Sequence, residues 1–151
     1  MSATTPQNPH GSYLMPSLEH ATVADAMHPG IMTCEPDALA TDVARMMAGH
    51  HVHCIAVTGI ARDHGERLVW GIISDLDLLR AGASTGAELT ASEMAIEPVF
   101  TVEPSTPLRE AAELMLTHSS THVLVVDPAK QRPIGMLSTL DIAGILAWGE
   151  A

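Results

Sequence analysis

The chain has 151 residues, 46% apolar and 17% charged, enough for one ordinary domain or two small repeated units and too apolar for general disorder. Seven basic against 18 acidic residues give a net charge of −11, which excludes a basic footprint for nucleic acid and attraction to an anionic membrane surface. No apolar run reaches the roughly 18–20 residues of a membrane-spanning helix, and two cysteines, Cys34 and Cys54, make no disulfide framework.

Met1 to Asn8 are polar and lack a signal-peptide pattern, so a soluble, reduced, cytoplasmic protein is expected. Residues 1–18, with Pro6, Pro9, Gly11 and Pro16, read as a flexible tail. Ile31 to Cys34 is extended and runs into Glu35-Pro36, since proline holds the preceding residue in extended geometry. A helix follows, with Leu39, Val43, Met46 and Met47 at helical spacing. Strands are predicted over Val52–Val57 and Leu68–Ile73, separated by a long loop at Thr58 to Arg67. A helix beginning at Ser74 carries Leu76, Leu78 and Leu79 and enters a linker at residues 83–88, within a stretch rich in Gly, Ala and Ser.

The same order then repeats. Thr33-Cys34-Glu35-Pro36 recurs 68 positions later as Thr101-Val102-Glu103-Pro104, and five of the 15 positions from Thr33 to Met47 are identical to their partners. Gly71 to Leu78 recurs 64 positions later as Gly135 to Ile142, with four of eight positions identical. The slip from 68 to 64 puts the extra residues in the first copy's loop. Val99 to Val102 is the second extended segment, and Leu108, Ala111, Ala112 and Met115 mark the next helix, with Thr106 as N-cap and Pro107 as its first residue. Strands over Val123–Val126 and Pro133–Leu137 flank the turn Asp127-Pro128-Ala129-Lys130-Gln131. A last helix starts at Ser138 with Leu140, Ile142, Ile145 and Leu146. Two strand–helix–strand–strand–helix copies result, at 19–82 and 89–151. A three-stranded sheet with both helices on one face leaves the other face for a second copy to cover, an α/β (α+β sandwich) fold.

This repeat, closing on Gly-apolar-apolar-Ser-x-x-Asp, resembles the CBS domain (cystathionine β-synthase domain), which usually occurs as a tandem pair, the Bateman module. Val23-Ala24-Asp25-Ala26-Met27 matches the family's opening V-x-D-x-M, and Ala44-Arg45-Met46-Met47 its A-x-x-M helix. The resemblance implies two β-α-β-β-α repeats packed sheet to sheet with pseudo-twofold symmetry. It implies a regulatory, energy-sensing module with no enzyme activity and no required cofactor, binding AMP, ADP, ATP, NAD or S-adenosylmethionine between repeats and signalling to a separate effector protein. It also implies a homodimer formed through helices, for which Leu39, Met46, Leu78, Leu114 and Ile145 offer apolar surface. One ligand site is implied at Thr22, Met27, Val52, His53, Cys54, Ser138 and Asp141. The other is implied at Thr90, Ser120, Thr121, His122, Ser74 and Asp77.

In those sites an aspartate at a helix start accepts the two hydroxyl hydrogens of a ribose, while first-turn amides favour a phosphate. Ser-x-x-Asp is equally a capping box that satisfies orphan amides, and both roles fit one position. The sequence departs from the nucleotide-binding pattern. Leu76 and Leu140 stand where a basic residue often precedes the aspartate, Cys54 and His122 where an arginine is common, and Ala56 and Leu124 where the strand carries proline. A triphosphate therefore meets few charge-assisted partners.

His50-His51-x-His53-Cys54 suits zinc or nickel by residue type. On a strand, His51 and His53 point to one face and Cys54 to the other, and neither Cys-x-x-Cys nor His-Glu-x-x-His accompanies them. A solvated group and no metal site is the expectation, and His118 with His122 is a weaker echo. A catalytic role for Cys54 conflicts with its apolar strand. A dimerisation module without a ligand and a histidine metal protein are the alternatives.

Overall fold

The computed structural model describes residues 15–61, 68–84, 88–95, 100–130 and 132–150. In chain order its elements are α1 (Val23–Ala26), β1 (His28–Pro29), β2 (Thr33–Cys34), α2 (Ala40–His50), β3 (Cys54–Ala61), β4 (Leu68–Ser74), α3 (Asp75–Ser84), α4 (Ala91–Met94), β5 (Thr101–Val102), α5 (Leu108–Thr117), β6 (His122–Asp127), β7 (Arg132–Ser138) and α6 (Thr139–Trp148). They fall into two compact units. A central unit runs from Ile31 to Phe100, and a terminal unit joins Met1–Gly30 to Thr101–Ala151.

The central sheet has the order β2-β3-β4, with β2 parallel and β4 antiparallel to β3. The terminal sheet repeats it as β5-β6-β7 and adds β1 on the far edge of β7, four strands where three are predicted. Sequence periodicity cannot reveal β1, because two residues show no alternation. Gly135 lets this strand approach. A Cβ there would lie 2.6 Å from the His28 carbonyl oxygen and would also collide with the Met27 methyl.

Along β3, Ile55, Ala56 and Val57 are all buried, as are Val123, Leu124 and Val125 on β6. Both faces of each middle strand are therefore covered, which is why these strands read as continuous apolar runs without alternation. In the central unit, Val43 and Met47 of α2 close over Ile55, Val57 and Ile73. In the terminal unit Leu108, Ala111 and Met115 of α5 and Ile145 of α6 are buried.

The opening helices are exchanged between copies. α1 belongs to the first repeat by sequence, yet its Val23 and Ala24 amides donate to the Thr106 and Pro104 carbonyls of the second, both at 2.9 Å. α4, from the second repeat, makes the same bonds to the first. There Ala91 donates to Ala38 at 2.7 Å and Ser92 to Pro36 at 2.8 Å. Ala91 and Met94 then complete the central core. Four-residue helices have no stability of their own, so each is held by the Glu-Pro turn it docks on.

Several boundaries differ from the sequence reading. β3 continues through Thr58 to Ala61 instead of entering a loop, with a register irregularity between Val57 and Ile60, and residues 62–67 lie outside the described residues. α3 runs to Ser84 and so takes the first residues of the expected linker; residues 85–87 are outside the described residues. The N-cap of α5 is Pro107 rather than Thr106, whose hydroxyl accepts from the Glu103 amide at 3.2 Å and closes the preceding turn. Met1 to Leu14 of the expected tail lie outside the described residues, but the Met15 carbonyl accepts from the Glu150 amide at 2.9 Å, tying residue 15 to the C-terminal end. No helix among the described residues is long and apolar enough to cross a membrane.

Candidate functional site

Each repeat ends its hairpin on a serine whose strand gives way to a helix. In the central unit the Ser74 amide and hydroxyl both donate to Asp77 Oδ2, at 2.8 and 2.9 Å, and the Asp77 amide returns a bond to Ser74 Oγ at 3.3 Å. In the terminal unit the Ser138 amide donates to Asp141 Oδ2 at 2.8 Å and the Asp141 amide to Ser138 Oγ at 3.2 Å. Both motifs are capping boxes. In both, one carboxylate oxygen is committed to the cap, and a carboxylate has a second.

The second oxygens differ in their partners. Asp141 Oδ1 meets His28 Nδ1 at 2.6 Å, the aspartate side chain only 4% exposed and the imidazole 73%. Asp77 Oδ1 has Arg80 Nη1 at 3.8 Å, one turn along its own helix and beyond hydrogen-bond distance. His28 and Arg80 were not read as site residues from the sequence. Arg80 stands three residues after Asp77, a helical spacing that could have signalled it. His28 reaches Asp141 only through β1, which leaves no sequence signal.

The terminal unit brings together Thr22, Met27, Ser138 and Asp141, since α1 packs on α6 and β1 pairs with β7. Thr22 caps α1, its amide donating to Asp25 Oδ2 at 2.8 Å and its hydroxyl at 3.1 Å. Ser120, Thr121 and His122 lie in this same unit. His122 is the cross-strand partner of Ser138, Ser120 Oγ donates to the His122 carbonyl at 2.6 Å, and Thr121 Oγ1 lies 2.9 Å from His122 Nδ1.

The central unit brings together Thr90, Ser74 and Asp77 with Val52, His53 and Cys54. Thr90 caps α4, and its amide and hydroxyl bond Glu93 Oε1 at 3.1 and 2.9 Å, which holds the Glu93 carboxyl below its usual range. Cys54 is the cross-strand partner of Ser74. Burial first, then the negative charges of Asp77 and Asp75, push its thiol up to about 12, so it is neutral and unreactive near pH 7.

His50 and His51 are not on a strand. His50 ends α2, and His51 is its C-cap in the left-handed region at φ 52°, matched in the second copy by Ser119 at φ 50°. His53 precedes β3 and pairs with Asp75 at 3.1 Å, both side chains exposed. Among the described residues no three His, Cys, Asp or Glu side chains are placed to hold a metal ion.

Each unit also has an apolar groove between its two long helices. One, of about 520 Å³, is lined by Ala44, Met47, Val52, Leu78 and Leu79. The other, of about 420 Å³, is lined by Ala112, Met115, Leu116, Ile142 and Leu146. Neither groove includes Asp77 or Asp141. The exposed large side chains here are Leu79, Leu116 and Leu146, whereas Ile145, predicted as an outward dimer residue, is internal core at 1% exposure.

Residues 23–84 and 91–147 each match the CBS domain family. The chain is 25% identical over 125 residues to hypoxic response protein 1 of Mycobacterium tuberculosis, covering 81% of this chain and 82% of that one. It is 28% identical over 138 residues to a homoserine O-acetyltransferase of Methanocorpusculum labreanum, covering 90% of this chain but spanning only 26% of that relative's length. Among solved structures, the CBS domain pair of protein MJ0100, in complex with 5′-methylthioadenosine and S-adenosyl-L-methionine, superposes with a TM-score of 0.70 at 24% identity, over 83% of this chain and 98% of that one. CBSX2 in complex with AMP gives 0.63 at 26% identity, over 82% and 93%. Hypoxic response protein I with two coordinated zinc ions gives 0.65 at 25%, over 82% and 98%. With both repeats matched in order and the fold shared, the chain belongs to the CBS domain family, as a tandem pair.

Proposed function

We propose that this CBS pair is a non-catalytic regulatory module that binds an adenosine-containing ligand through Asp77 and Asp141 and reports occupancy to a partner protein. The carrying observation is the doubled capping box, in which Oδ2 takes the capping bonds and Oδ1 is the oxygen met by His28 in one unit and approached by Arg80 in the other. A ribose diol needs such an acceptor, and the adjoining first-turn amides suit a phosphate or carboxylate. The AMP held by CBSX2 supports the ligand class. Leu76 and Leu140, 51% and 74% exposed, stand beside the aspartates in place of cations. With a net charge of −11, this favours S-adenosylmethionine, adenosine or AMP over ATP.

Calorimetric titration of the parent, Asp77→Asn and Asp141→Asn with these ligands tests the reading. Losing a charge-assisted acceptor weakens binding about tenfold or more. Loss of a cap alone would change the melting temperature and leave affinity as in the parent. Equal affinity in all three proteins would sink the ribose role.

The paired grooves support self-association as a second property. Leu79, Leu116 and Leu146, 68%, 80% and 65% exposed, supply apolar surface on the helices. Light scattering should report twice the chain mass at micromolar concentration, and a monomer throughout would rule this out. Among the described residues no three His, Cys, Asp or Glu side chains are placed to hold a metal ion, so chelation is expected to leave the melting temperature unchanged.

A further inference from the structure

We propose that His28 is a built-in competitor for the ligand-facing oxygen of Asp141, so that the terminal half of the pair binds its ligand in a pH-linked manner and the central half does not. This rests on the adenosyl-ligand reading. Oδ2 of Asp141 is engaged by the Ser138 amide at 2.8 Å, and Oδ1 is covered by His28 Nδ1 at 2.6 Å. A ribose hydroxyl can reach Oδ1 fully only when the imidazole leaves.

The backbone that carries His28 is fixed. His28 and Pro29 pair with Met136 and Gly135, the Gly30 amide donates to the Ile134 carbonyl at 2.9 Å, and Gly30 sits at φ +77°, where glycine is at ease. The gate is therefore the imidazole alone, which has solvent to swing into at 73% exposure.

Protonation strengthens the closed state. An imidazolium holds a carboxylate by an ion pair as well as a hydrogen bond, where a neutral ring offers the hydrogen bond alone. Other charged groups stand on the neighbouring elements. Asp25 of α1 accepts from Thr22, His122 of β6 bonds Thr121, and Arg132 starts β7 beside Asp127, away from Met136. By the 68-residue offset the counterpart of His28 is Ile96, which cannot titrate.

The test titrates AMP and S-adenosylmethionine separately into Asp77→Asn and into Asp77→Asn/His28→Ala between pH 5.5 and 8.5, with the parent and His28→Ala alongside. Affinity of Asp77→Asn should climb about threefold to tenfold across this interval, in which imidazoles change charge. Removing His28 should raise affinity at pH 5.5 by a similar factor and flatten the profile. Melting temperatures of all forms verify folding, and the His28 ring resonances should move on ligand addition in Asp77→Asn. Binding that is flat with pH, or weaker without His28, overturns the gate and leaves the ligand reading standing. Binding by the parent but not by either Asp77→Asn form removes Asp141 as a site, and the gate with it. No binding by any form at any pH overturns both.

Discussion

Asp77 and Asp141 occupy the same place in two copies of one scaffold and do the same thing with one oxygen and different things with the other. The capping bonds agree within 0.1 Å where both exist, at 2.8 Å from the serine amide and 3.3 or 3.2 Å back to the serine hydroxyl. The outer oxygens meet a histidine at 2.6 Å in one unit and an arginine at 3.8 Å in the other. Orphan amides at a helix start must be satisfied in any sequence, so the cap is alike in both. No such demand falls on the outer oxygen, and there the copies diverge. The cores show the same freedom. Leu108 and Ala111 bury the start of α5, while Ala40 and the buried Val43 occupy the matching positions of α2, so the bulk has moved by one turn.

The largest test of this contrast is in the core. Leu108→Ala should cost about 2–5 kcal/mol in chemical denaturation, and Val43→Ala, which removes less, about 2 kcal/mol. Equal losses would mean that the two helices do not carry their cores at different turns. Gly135→Ala should come next, at about 1–3 kcal/mol, because the new methyl must push β1 off β7. A neutral Gly135→Ala would show that the strap is not held by close approach.

A smaller difference lies in the thiols, both of which are in the central unit. Burial raises Cys34 and, with Asp77 and Asp75, takes Cys54 to about 12. Their folded values exceed the unfolded value of 9.0, so the protons stay on longer in the folded state. That stability is fully present below about pH 9 and drains away as pH rises toward 12. Alkaline unfolding of the parent should show this decline, and Cys34→Val/Cys54→Ala should flatten it. The smallest effect is at Glu93, whose carboxyl is held low by Thr90. Its contribution is present above about pH 4.5 and fades as pH falls through the lower folded value, so Glu93→Gln should lose a little stability near neutral pH and less in acid.

Much of this architecture was legible in the sequence because the repeat marks itself twice. Glu-Pro sets the end of each extended segment, and Ser74 and Ser138 stand where β4 and β7 give way to α3 and α6. Long elements were placed well since their apolar spacing is strong. Short ones were not. β1 has two residues, and α1 and α4 have four each, so their positions come from tertiary bonds that no local pattern encodes. The placement of His51 differs for a related reason. Reading His51 on a strand assumed that the chain extends at once after α2, whereas His51 turns through the left-handed region first. Of the site, the aspartates were legible through the doubled motif, while His28 was not, because its meeting with Asp141 depends on a strand that borrows an edge from the other repeat.

The exchange of α1 and α4 changes what counts as a half of this protein. A cut near residue 86 respects the sequence repeats but leaves α4 on one fragment and the core that Ala91 and Met94 fill on the other. Neither fragment carries a finished interior, and each holds the missing piece of its sibling. Produced separately, residues 1–86 and 87–151 should be poorly folded; mixed, they should reassemble by trading helices, a split protein whose reconstitution is written into its wiring.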